Sequence, residues 1–201
     1  MLLRHSPTSP FVRKVMVLLH ETGLNGRVAL ETVDGWAEPA ALTGDNPLSM
    51  VPTLVLDDGS SLYDSGVICD YLDRLHPGER LIPPQGDARW QVLREQALAD
   101  GMLECAVLIF VELMRRPEDK RWDWWLALKR RAITRSLDML EQQAERLSGR
   151  VDLGSISIAV ALGYLDFRGA VADWRDGRPR LAGWFAGFSS RPSMTATAPP
   201  A

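Results

Sequence analysis

The order of the local sequence patterns constrains the fold of this chain more than any single residue does. Apolar runs typical of short β-strands occur only before residue 76, where they alternate with helical patterns. The predicted order there is strand, helix, strand, one helical turn, two strands joined by a hairpin, and a helix. Beyond residue 87, the apolar patterns have helical spacing. The chain is therefore predicted to fold as a small mixed α/β unit followed by an all-helical unit.

We place the domain boundaries where the composition changes. Residues 77–86 are rich in proline and glycine and are interpreted as a linker. They separate a domain over residues 1–76 from a helical domain over residues 87–201. The small, polar and proline-rich tail from Ser193 to Ala201 is expected to be loosely attached. Within the second domain, helices are predicted over four segments: 88–115, 133–147, 155–171 and 181–188.

The bulk composition argues against several classes of protein. The chain has 201 residues, 46% of them apolar, and its net charge of −3 predicts no general attraction to nucleic acid or anionic membrane. No apolar run approaches the length of a membrane span. The two cysteines, Cys69 and Cys105, fit a reduced cytosolic protein. The three histidines, His5, His20 and His76, are too scattered to indicate a metal site.

The dipeptide Ser9-Pro10 predicts the start of the first helix. Serine is a favoured N-cap, and proline is favoured at the first helical position. A helix start presents a hydroxyl, free backbone N–H groups and partial positive charge to whatever lies above it. A thiol held there would ionise more easily, because the thiolate gains hydrogen bonds and a favourable field. By itself, Ser9 could equally be a simple helix cap.

Four sequence motifs follow one another along the chain. They are Ser9-Pro10-Phe11-Val12-Arg13, Asn46-Pro47 with Val51-Pro52-Thr53-Leu54, Leu62-Tyr63-Asp64-Ser65, and Ile158-Ala159 through Gly163-Tyr164-Leu165-Asp166-Phe167-Arg168. In this order and at this spacing they resemble the glutathione transferase family, and the similarity is strongest to its bacterial branches with Ser-Pro-Phe at the first helix. The resemblance covers nearly the whole chain and implies an α/β thioredoxin-like N-terminal domain followed by an all-α helical-bundle C-terminal domain.

The resemblance also implies roles for individual residues. Ser9 matches the catalytic Ser or Cys of the family and would donate its hydroxyl proton to the sulfur of glutathione, the co-substrate. Pro52 matches a cis-proline, which would turn the backbone of Val51 outward to pair with the cysteinyl backbone of glutathione. Asp64 and Ser65 lie at the next helix start and are both expected to bind the tripeptide, with Ser65 and the free backbone N–H groups holding the γ-glutamyl carboxylate. Phe11 is also expected to contact glutathione.

Two positions depart from the family pattern. The family often has a lysine or glutamine just before the Val-Pro pair, facing the glycyl carboxylate, whereas this chain has Met50. Glutathione affinity is therefore expected to be lower unless another side chain substitutes, and His5, Arg13 and Trp36 are the alternatives considered.

The second departure lies at the start of the long apolar helix of the second domain. Gly154 and Ser157 occupy the places where the family has a Ser/Thr cap and an Asp. We therefore expect one weakened hydrogen bond in the helix cap, at a cost of about 1 kcal/mol.

The electrophile pocket is expected between the two domains, with Phe11 on one wall and Met102, Cys105 and Ile109 on the other. Because neither position 9 nor position 12 is a cysteine, Ser9 cannot form a mixed disulfide, which excludes the redox versions of this fold. Cys69, within an apolar helix face, is expected to be a core residue.

These features favour a cytoplasmic, homodimeric glutathione transferase of the kind used in detoxification. Its reaction would join the glutathione thiolate, stabilised by Ser9, to a small hydrophobic electrophile, without a metal, nucleic acid or membrane. An alternative is a regulatory or interaction module that keeps the fold without transferase activity, which Met50 favours and the intact Ser9, Pro52 and Ser65 oppose. A second alternative is a glutathione-dependent isomerase or dehalogenase, which Ser9 fits equally well.

Overall fold

The computed structural model of this protein describes residues 1–200, which form two units. The first unit comprises Met1–Trp90 together with the chain from Pro192 onward, and the second comprises Gln91–Arg191. The α/β sheet lies entirely in the first unit, and the second is helical, so the predicted fold class is confirmed. The composition predicts the C-terminal residues as part of the helical domain, whereas residues 192–200 group with the first unit.

A four-stranded mixed sheet forms the centre of the first unit. Strand order is β2-β1-β3-β4, with β1 parallel to β2 and antiparallel to β3, and with β3 antiparallel to β4. The Asp57-Asp58-Gly59 turn between β3 and β4 confirms the predicted hairpin, and Gly59 has the positive φ (85°) that such turns favour. The strands are β1 (Leu2–His5), β2 (Ala29–Thr32), β3 (Thr53–Val55) and β4 (Ser61–Leu62).

The strand register brings three connecting segments to one end of this sheet. Arg4, near the end of β1, lies opposite Thr53, the first residue of β3. Leu62, the last residue of β4, lies opposite Leu54. The chain therefore leaves β1, enters β3 and leaves β4 at the same end of the sheet.

Three helices follow strand ends in the first unit, and a fourth comes from the C-terminal segment. The N-cap of α1 is Ser9 with Pro10 at the first helical position, as predicted, and Gly23 follows the helix with a positive φ of 69°. Helices α1 and α3 pack against each other beside the sheet. The helices are α1 (Pro10–Glu21), α2 (Ala40–Asp45), α3 (Ser65–Asp73) and, at the C-terminal end, α8 (Pro192–Ala196).

The expectation of a loosely attached tail is wrong for residues 193–196, which belong to helix α8. Helix α8 packs against α1, and Met194 is buried. The Arg13 guanidinium donates to the Met194 carbonyl at 3.1 Å, and the Ser193 hydroxyl donates to Glu21 at 2.5 Å. These two polar contacts and the burial of Ser193 and Met194 fix this segment, and composition alone does not reveal them.

The second unit is built from four helices, one in each predicted segment, but α5 (Asp123–Gln143) begins ten residues before the predicted segment 133–147, and the last residues of that segment form a 3₁₀ turn. Within residues 1–200, short 3₁₀ turns are present at Asn25–Arg27, Gly35–Ala37, Glu118–Lys120 and Ala144–Leu147. Helix α6 is buried along most of its length, which agrees with its apolar character on several faces. The helices are α4 (Gly86–Met114), α5 (Asp123–Gln143), α6 (Leu153–Arg168) and α7 (Pro179–Ser189).

The expected weak cap of α6 is wrong, because this helix begins with a complete capping box two residues earlier. The Asp152 carboxylate accepts the Ser155 amide at 2.9 Å, and the Ser155 hydroxyl accepts the Asp152 amide at 2.9 Å. Asp152 therefore takes the cap role that the resemblance to the family implied for Gly154.

A partly buried ion-pair cluster lies beside this cap. The Arg150 guanidinium donates to both carboxylate oxygens of Glu95, at 3.1 and 2.7 Å, and to Asp152 at 2.8 Å. The hydrogen bond with Glu95 is the main cause of a raised Arg150 pKa, with Asp152 adding to it. The cluster joins the early part of α4 to the start of α6.

None of the helices within residues 1–200 combines the length and the apolar character that a membrane crossing requires.

Candidate functional site

The three segments that meet at one end of the sheet are those singled out in the sequence. Ser9 follows β1 by four residues, Pro52 immediately precedes β3, and Asp64 follows β4 by two residues. The 3₁₀ turn after β2 reaches the same end, because β2 is parallel to β1 with Thr32 opposite His5. The sheet topology therefore brings together residues that are distant in sequence.

Ser9 is half-buried, and its hydroxyl oxygen already accepts a hydrogen bond. The Val12 amide donates to Ser9 Oγ at 3.4 Å, a long bond that caps α1. Among residues 1–200, no acceptor takes the proton of the Ser9 hydroxyl. Ser9 can therefore cap the helix and donate to a ligand at the same time, since a hydroxyl carries one proton and two lone pairs.

The first turn of α1 offers a second donor beside Ser9. Pro10 has no amide proton, and the Val12 and Arg13 amides are used by Ser9 Oγ and the Ser9 carbonyl. The Phe11 amide has no acceptor within the part of the chain that the structure describes. Helix α1 has 12 residues, so its aligned peptide dipoles place partial positive charge at this point. A thiolate or another small anion would be stabilised there.

The Val51–Pro52 peptide bond is cis, as the resemblance implied. The Val51 amide and carbonyl make no hydrogen bond to any other residue of the described chain. They therefore remain available to pair with an extended peptide ligand in the manner of an added strand. The Tyr63–Asp64 bond is also cis, which the sequence did not predict.

A small buried network holds the turn around Pro52. The Asn46 side-chain amide donates to the Met50 carbonyl and to Thr53 Oγ1, both at 3.1 Å, and accepts the Leu48 amide at 3.0 Å. The Thr53 hydroxyl donates to the Met50 carbonyl at 2.8 Å. The sequence analysis quoted Asn46 and Thr53 as motif residues but assigned them no role. The structure makes them positioning residues for the Val51 backbone.

The start of α3 satisfies part of its own hydrogen-bonding potential. The Asp64 carboxylate accepts the Gly66 amide at 2.6 Å, and the Ser65 hydroxyl donates to Asp64 at a long 3.4 Å. Ser65 is only 2% exposed, whereas Asp64 is exposed. The Ser65 amide has no acceptor in residues 1–200. A ligand carboxylate could thus bind the Ser65 donors, while the exposed Asp64 carboxylate suits a ligand ammonium group.

The structure offers no free cation near Met50 among the three side chains considered as substitutes, which are His5, Arg13 and Trp36. The Met50 side chain is 63% exposed at the edge of this region and supplies no charge. His5 Nε2 bonds to Thr32 Oγ1 at 3.0 Å, and burial lowers the pKa of His5, which favours the neutral ring. The Arg13 guanidinium is engaged by the Met194 carbonyl. Trp36 is largely exposed. None of the three is a free cation that replaces the missing lysine.

The three residues predicted for the electrophile pocket all lie on α4. Met102 and Ile109 are buried, and Cys105 is partly exposed. Burial is the main cause of a raised Cys105 pKa, so this thiol is not activated. Ile109 lines a pocket of about 190 Å³ between α4 and α6, and neither Met102 nor Cys105 borders it. Cys69 is buried in α3, in line with the predicted core role.

No group of three or more side chains of the types that bind metal ions comes together among residues 1–200. The candidate site instead consists of the hydroxyls of Ser9 and Ser65, several free backbone groups and one exposed carboxylate. These groups suit a peptide-like ligand with both charged ends and a thiol.

Comparison with known proteins agrees with this geometry. A family model described as "Glutathione S-transferase, N-terminal domain" matches residues 8–75, and one described as "Glutathione S-transferase, C-terminal domain" matches residues 123–187. The chain is also 34% identical over 198 residues to the "Uncharacterized GST-like protein YibF" of Escherichia coli K12. That alignment covers 97% of this chain and 96% of the relative.

Two solved structures of a glutathione transferase family member from Pseudomonas fluorescens Pf-5 are similar to this chain. One contains glutathione and matches with 50% identity and a TM-score of 0.96, covering 100% of this chain and 99% of the other. The second contains S-(propanoic acid)-glutathione and matches with 48% identity and a TM-score of 0.93, covering 100% of each chain.

Proposed function

The chain belongs to the glutathione transferase family, and on that premise we propose that it joins the thiolate of glutathione to a small hydrophobic electrophile. The observation that carries the proposal is the Ser9 hydroxyl. Its oxygen accepts from Val12, and its proton has no acceptor within residues 1–200. That proton is available to a thiolate at the positive end of α1, and a hydrogen bond to an anion lowers the pKa of the corresponding thiol.

The remaining groups of this end of the sheet would bind the tripeptide. The unpaired backbone of Val51 would pair with the cysteinyl residue of glutathione, next to cis-Pro52. The Ser65 donors would hold the γ-glutamyl carboxylate, and the Asp64 carboxylate would meet the γ-glutamyl ammonium. Phe11 would contribute its free amide close to the sulfur.

The reaction itself needs little from the protein beyond this thiolate. The sulfur forms a bond to carbon while the carbon–leaving-group bond breaks, and the thiol proton passes to solvent. The relative from Pseudomonas fluorescens with bound S-(propanoic acid)-glutathione supports the proposal, because that ligand is glutathione carrying a substituent on its sulfur. Met102, Cys105 and Ile109 stay predictions for the electrophile side.

Homodimer formation, a cytoplasmic location and a role in detoxification belong to the same proposal. They are supported by family membership and, for the location, by the low count of two cysteines, Cys69 and Cys105, in a chain of 201 residues.

A second candidate is a glutathione-binding or regulatory module without transferase activity. The observation that favours it is Met50, which leaves the glycyl carboxylate without a nearby charged partner. A glutathione-dependent isomerase or dehalogenase would use Ser9 in the same way, and a panel of substrates separates these from a conjugating enzyme.

The test is the ionisation of bound glutathione, followed by thiolate absorbance against pH. Ser9→Ala removes a hydrogen bond to an anion, a loss of about 1.5–3 kcal/mol that raises the thiol pKa by roughly one to two units. At a pH between the two pKa values, the wild-type protein holds thiolate and the variant holds thiol. Turnover with 1-chloro-2,4-dinitrobenzene should fall by a similar factor at that pH.

Ser9→Gly provides the matched control, because glycine is nearly as good an N-cap as serine but has no hydroxyl. It should reproduce the raised thiol pKa with little loss of stability. Glutathione that binds with an unchanged thiol pKa in both variants would assign Ser9 to capping alone. Binding without turnover on any electrophile would favour the regulatory module.

A further inference from the structure

The pocket between α4 and α6 contains one cation in otherwise apolar surroundings. Its walls include the side chains of Ile109, Phe110, Leu113 and Phe167. Arg168, the last residue of α6, completes the lining. The whole pocket lies within the second unit, so its description depends on that unit alone.

The Arg168 guanidinium is held by aromatic rings and not by an acid. Its central carbon lies 4.1 Å from the ring centroid of Phe110 and 4.2 Å from that of Phe167. Its Nε is buried and has no hydrogen-bond partner, and no ion pair joins Arg168 to a carboxylate within residues 1–200. Aromatic faces attract a cation and offset part of its desolvation cost, but they provide no oxygen to accept an N–H.

Another arginine near the same helix end has a guanidinium whose N–H groups do find carboxylate acceptors. Arg175 also lies over an aromatic ring, that of Trp174, at 4.3 Å. Unlike Arg168, it donates to both carboxylate oxygens of Asp166 at 2.7 Å. Both arginines therefore contact aromatic rings, but only Arg175 also pairs with a carboxylate.

A buried hydroxyl lies next to this cation. Tyr164 is one turn before Arg168 on α6 and is almost fully buried. Burial raises the pKa of Tyr164, and a hydrogen bond with the Arg168 side chain opposes that rise. At neutral pH, Tyr164 is thus an uncharged hydroxyl beside the guanidinium and cannot neutralise it.

The pocket volume limits what could supply the missing acceptor. An apolar cavity of about 150 Å³ is large enough to bind benzene. The volume of about 190 Å³ therefore suits one aromatic ring or an aliphatic group of similar size with a small substituent. A planar carboxylate matches the forked N–H geometry of arginine better than other small acceptors do.

We infer that this pocket binds a small aromatic or aliphatic carboxylate, with the apolar part against Phe110, Leu113 and Phe167 and the carboxylate on Arg168. The ligand supplies the acceptor that the buried Nε lacks, and the apolar walls exclude water from the pair. In a glutathione transferase such a site would select anionic substrates or products, and only that consequence depends on the proposed function. The ligand class follows from the pocket itself.

A purely structural role for Arg168 makes a different prediction. A cation in the last turn of a helix interacts favourably with the helix dipole, and this alone could explain an arginine at the end of α6. That role needs no ligand and gives no preference between a carboxylate and a neutral molecule of the same shape. Comparing two such molecules therefore separates the alternatives.

The experiment is a calorimetric titration of the full-length protein, without glutathione, with 4-ethylbenzoate and with the neutral 4-ethylbenzamide. The wild-type protein should bind the carboxylate roughly ten- to a hundredfold more tightly than the amide, as expected for a charge-assisted hydrogen bond. Arg168→Met should bring the carboxylate down to the affinity of the amide. Arg168→Lys should retain part of the preference, because lysine keeps the charge but not the planar fork.

Two further variants keep the test decisive. Arg175→Met removes an equal charge nearby and should preserve the preference for the carboxylate. Leu113→Trp fills the pocket, leaves Arg168 in place and should abolish binding of both probes, which covers the case that Arg168→Met does not fold. Equal affinities of the wild-type protein for the two probes, a preference that survives in Arg168→Met, or no binding of either probe would overturn the inference. Because glutathione is absent, its binding and activation by Ser9 do not affect the result.

Discussion

Gly154, in the first turn of α6, packs directly against the carboxylate of Glu95 on α4. A Cβ added at Gly154 would lie 2.5 Å from Glu95 Oε2 and 3.0 Å from Glu95 Cβ. Glu95 cannot simply move aside, because Arg150 holds both of its oxygens and Gln91 donates to it at 3.1 Å. The absence of a side chain at position 154 is therefore a packing requirement and not a defect of the helix cap.

Gly154→Ser, which introduces the family's usual capping residue, is expected to destabilise the protein. The complete Asp152–Ser155 capping box leaves no role for a second cap, and the new side chain would meet Glu95. Such overpacking costs about 1–3 kcal/mol of unfolding free energy, which urea denaturation would measure.

Gly101→Ala is the matched control for this prediction. Gly101 lies within α4, and nothing approaches a Cβ there within 4 Å. Alanine should stabilise the protein by roughly 0.5–1 kcal/mol, because it restricts the unfolded chain. A stabilised Gly154→Ser variant would show that the cap, and not the contact with Glu95, determines the residue at position 154.

Ser65→Ala is expected to weaken glutathione binding by about tenfold or more while leaving stability nearly unchanged. The Ser65 hydroxyl contributes little to the fold, since its bond to Asp64 is long at 3.4 Å. A hydrogen bond to a ligand carboxylate contributes about 1.5–3 kcal/mol. Calorimetric affinity and melting temperature should be measured on the same preparations.

Ser60→Ala serves as the control for Ser65→Ala. Its hydroxyl donates to Asp58 in the exposed hairpin turn, so neither affinity nor stability should change much. A large fall in the melting temperature of Ser65→Ala with unaltered affinity would assign Ser65 to the structure of α3.

Met50→Lys is expected to tighten glutathione binding by a few-fold at low salt. An exposed cation facing a carboxylate contributes on the order of 1 kcal/mol, and added salt should reduce the gain. The comparison ligand is γ-glutamylcysteine, which lacks the glycyl residue. An equal gain for both ligands would contradict the placement of Met50 near the glycyl carboxylate.

Asp73→Ala is expected to lower the unfolding free energy by about 3 kcal/mol, because it leaves buried donors without acceptors. The buried Asp73 carboxylate accepts the Leu81 amide at 2.9 Å and the Ile82 amide at 3.1 Å, and His76 Nε2 lies 3.1 Å from it. These bonds tie the segment after α3 to the first unit. Urea denaturation measures the loss.

Asp70→Ala is the control for Asp73→Ala, because its ion pair with Arg74 is exposed and should contribute at most about 1 kcal/mol. Equal losses in the two variants would show that the Asp73 carboxylate is not the anchor of residues 81 and 82.

The elements that local interactions decide were predictable from the sequence. The Ser9 cap, the Asp57-Asp58-Gly59 hairpin and the Asp64 cap each depend on residues within four positions of one another. Caps and turns follow from such short-range chemistry, which explains their agreement with the structure. The cis bond at Pro52 was implied by a motif that is likewise local.

The resemblance to the family was less reliable where this chain departs from the common pattern. It placed the cap of α6 at Gly154 and predicted a weak helix start. The chain places an acid at Asp152 and a hydroxyl at Ser155, so the cap is complete but begins earlier. An Asp-x-x-Ser reading of the local sequence would have found it.

The sequence by itself determined the helix caps, the turns and the apolar faces of the helices, because these features depend on neighbours along the chain. Tertiary structure alone decided which distant residues come into contact. Examples are the hydrogen bond from Arg13 to the Met194 carbonyl and the hydrogen bond from Asn46 to Thr53. A third is the packing of Arg168 against Phe110 without a carboxylate partner in residues 1–200. The sequence does not show whether an arginine is paired with a carboxylate in the folded protein. Only the folded packing determines whether a buried donor finds its acceptor within the chain or leaves that place to a ligand.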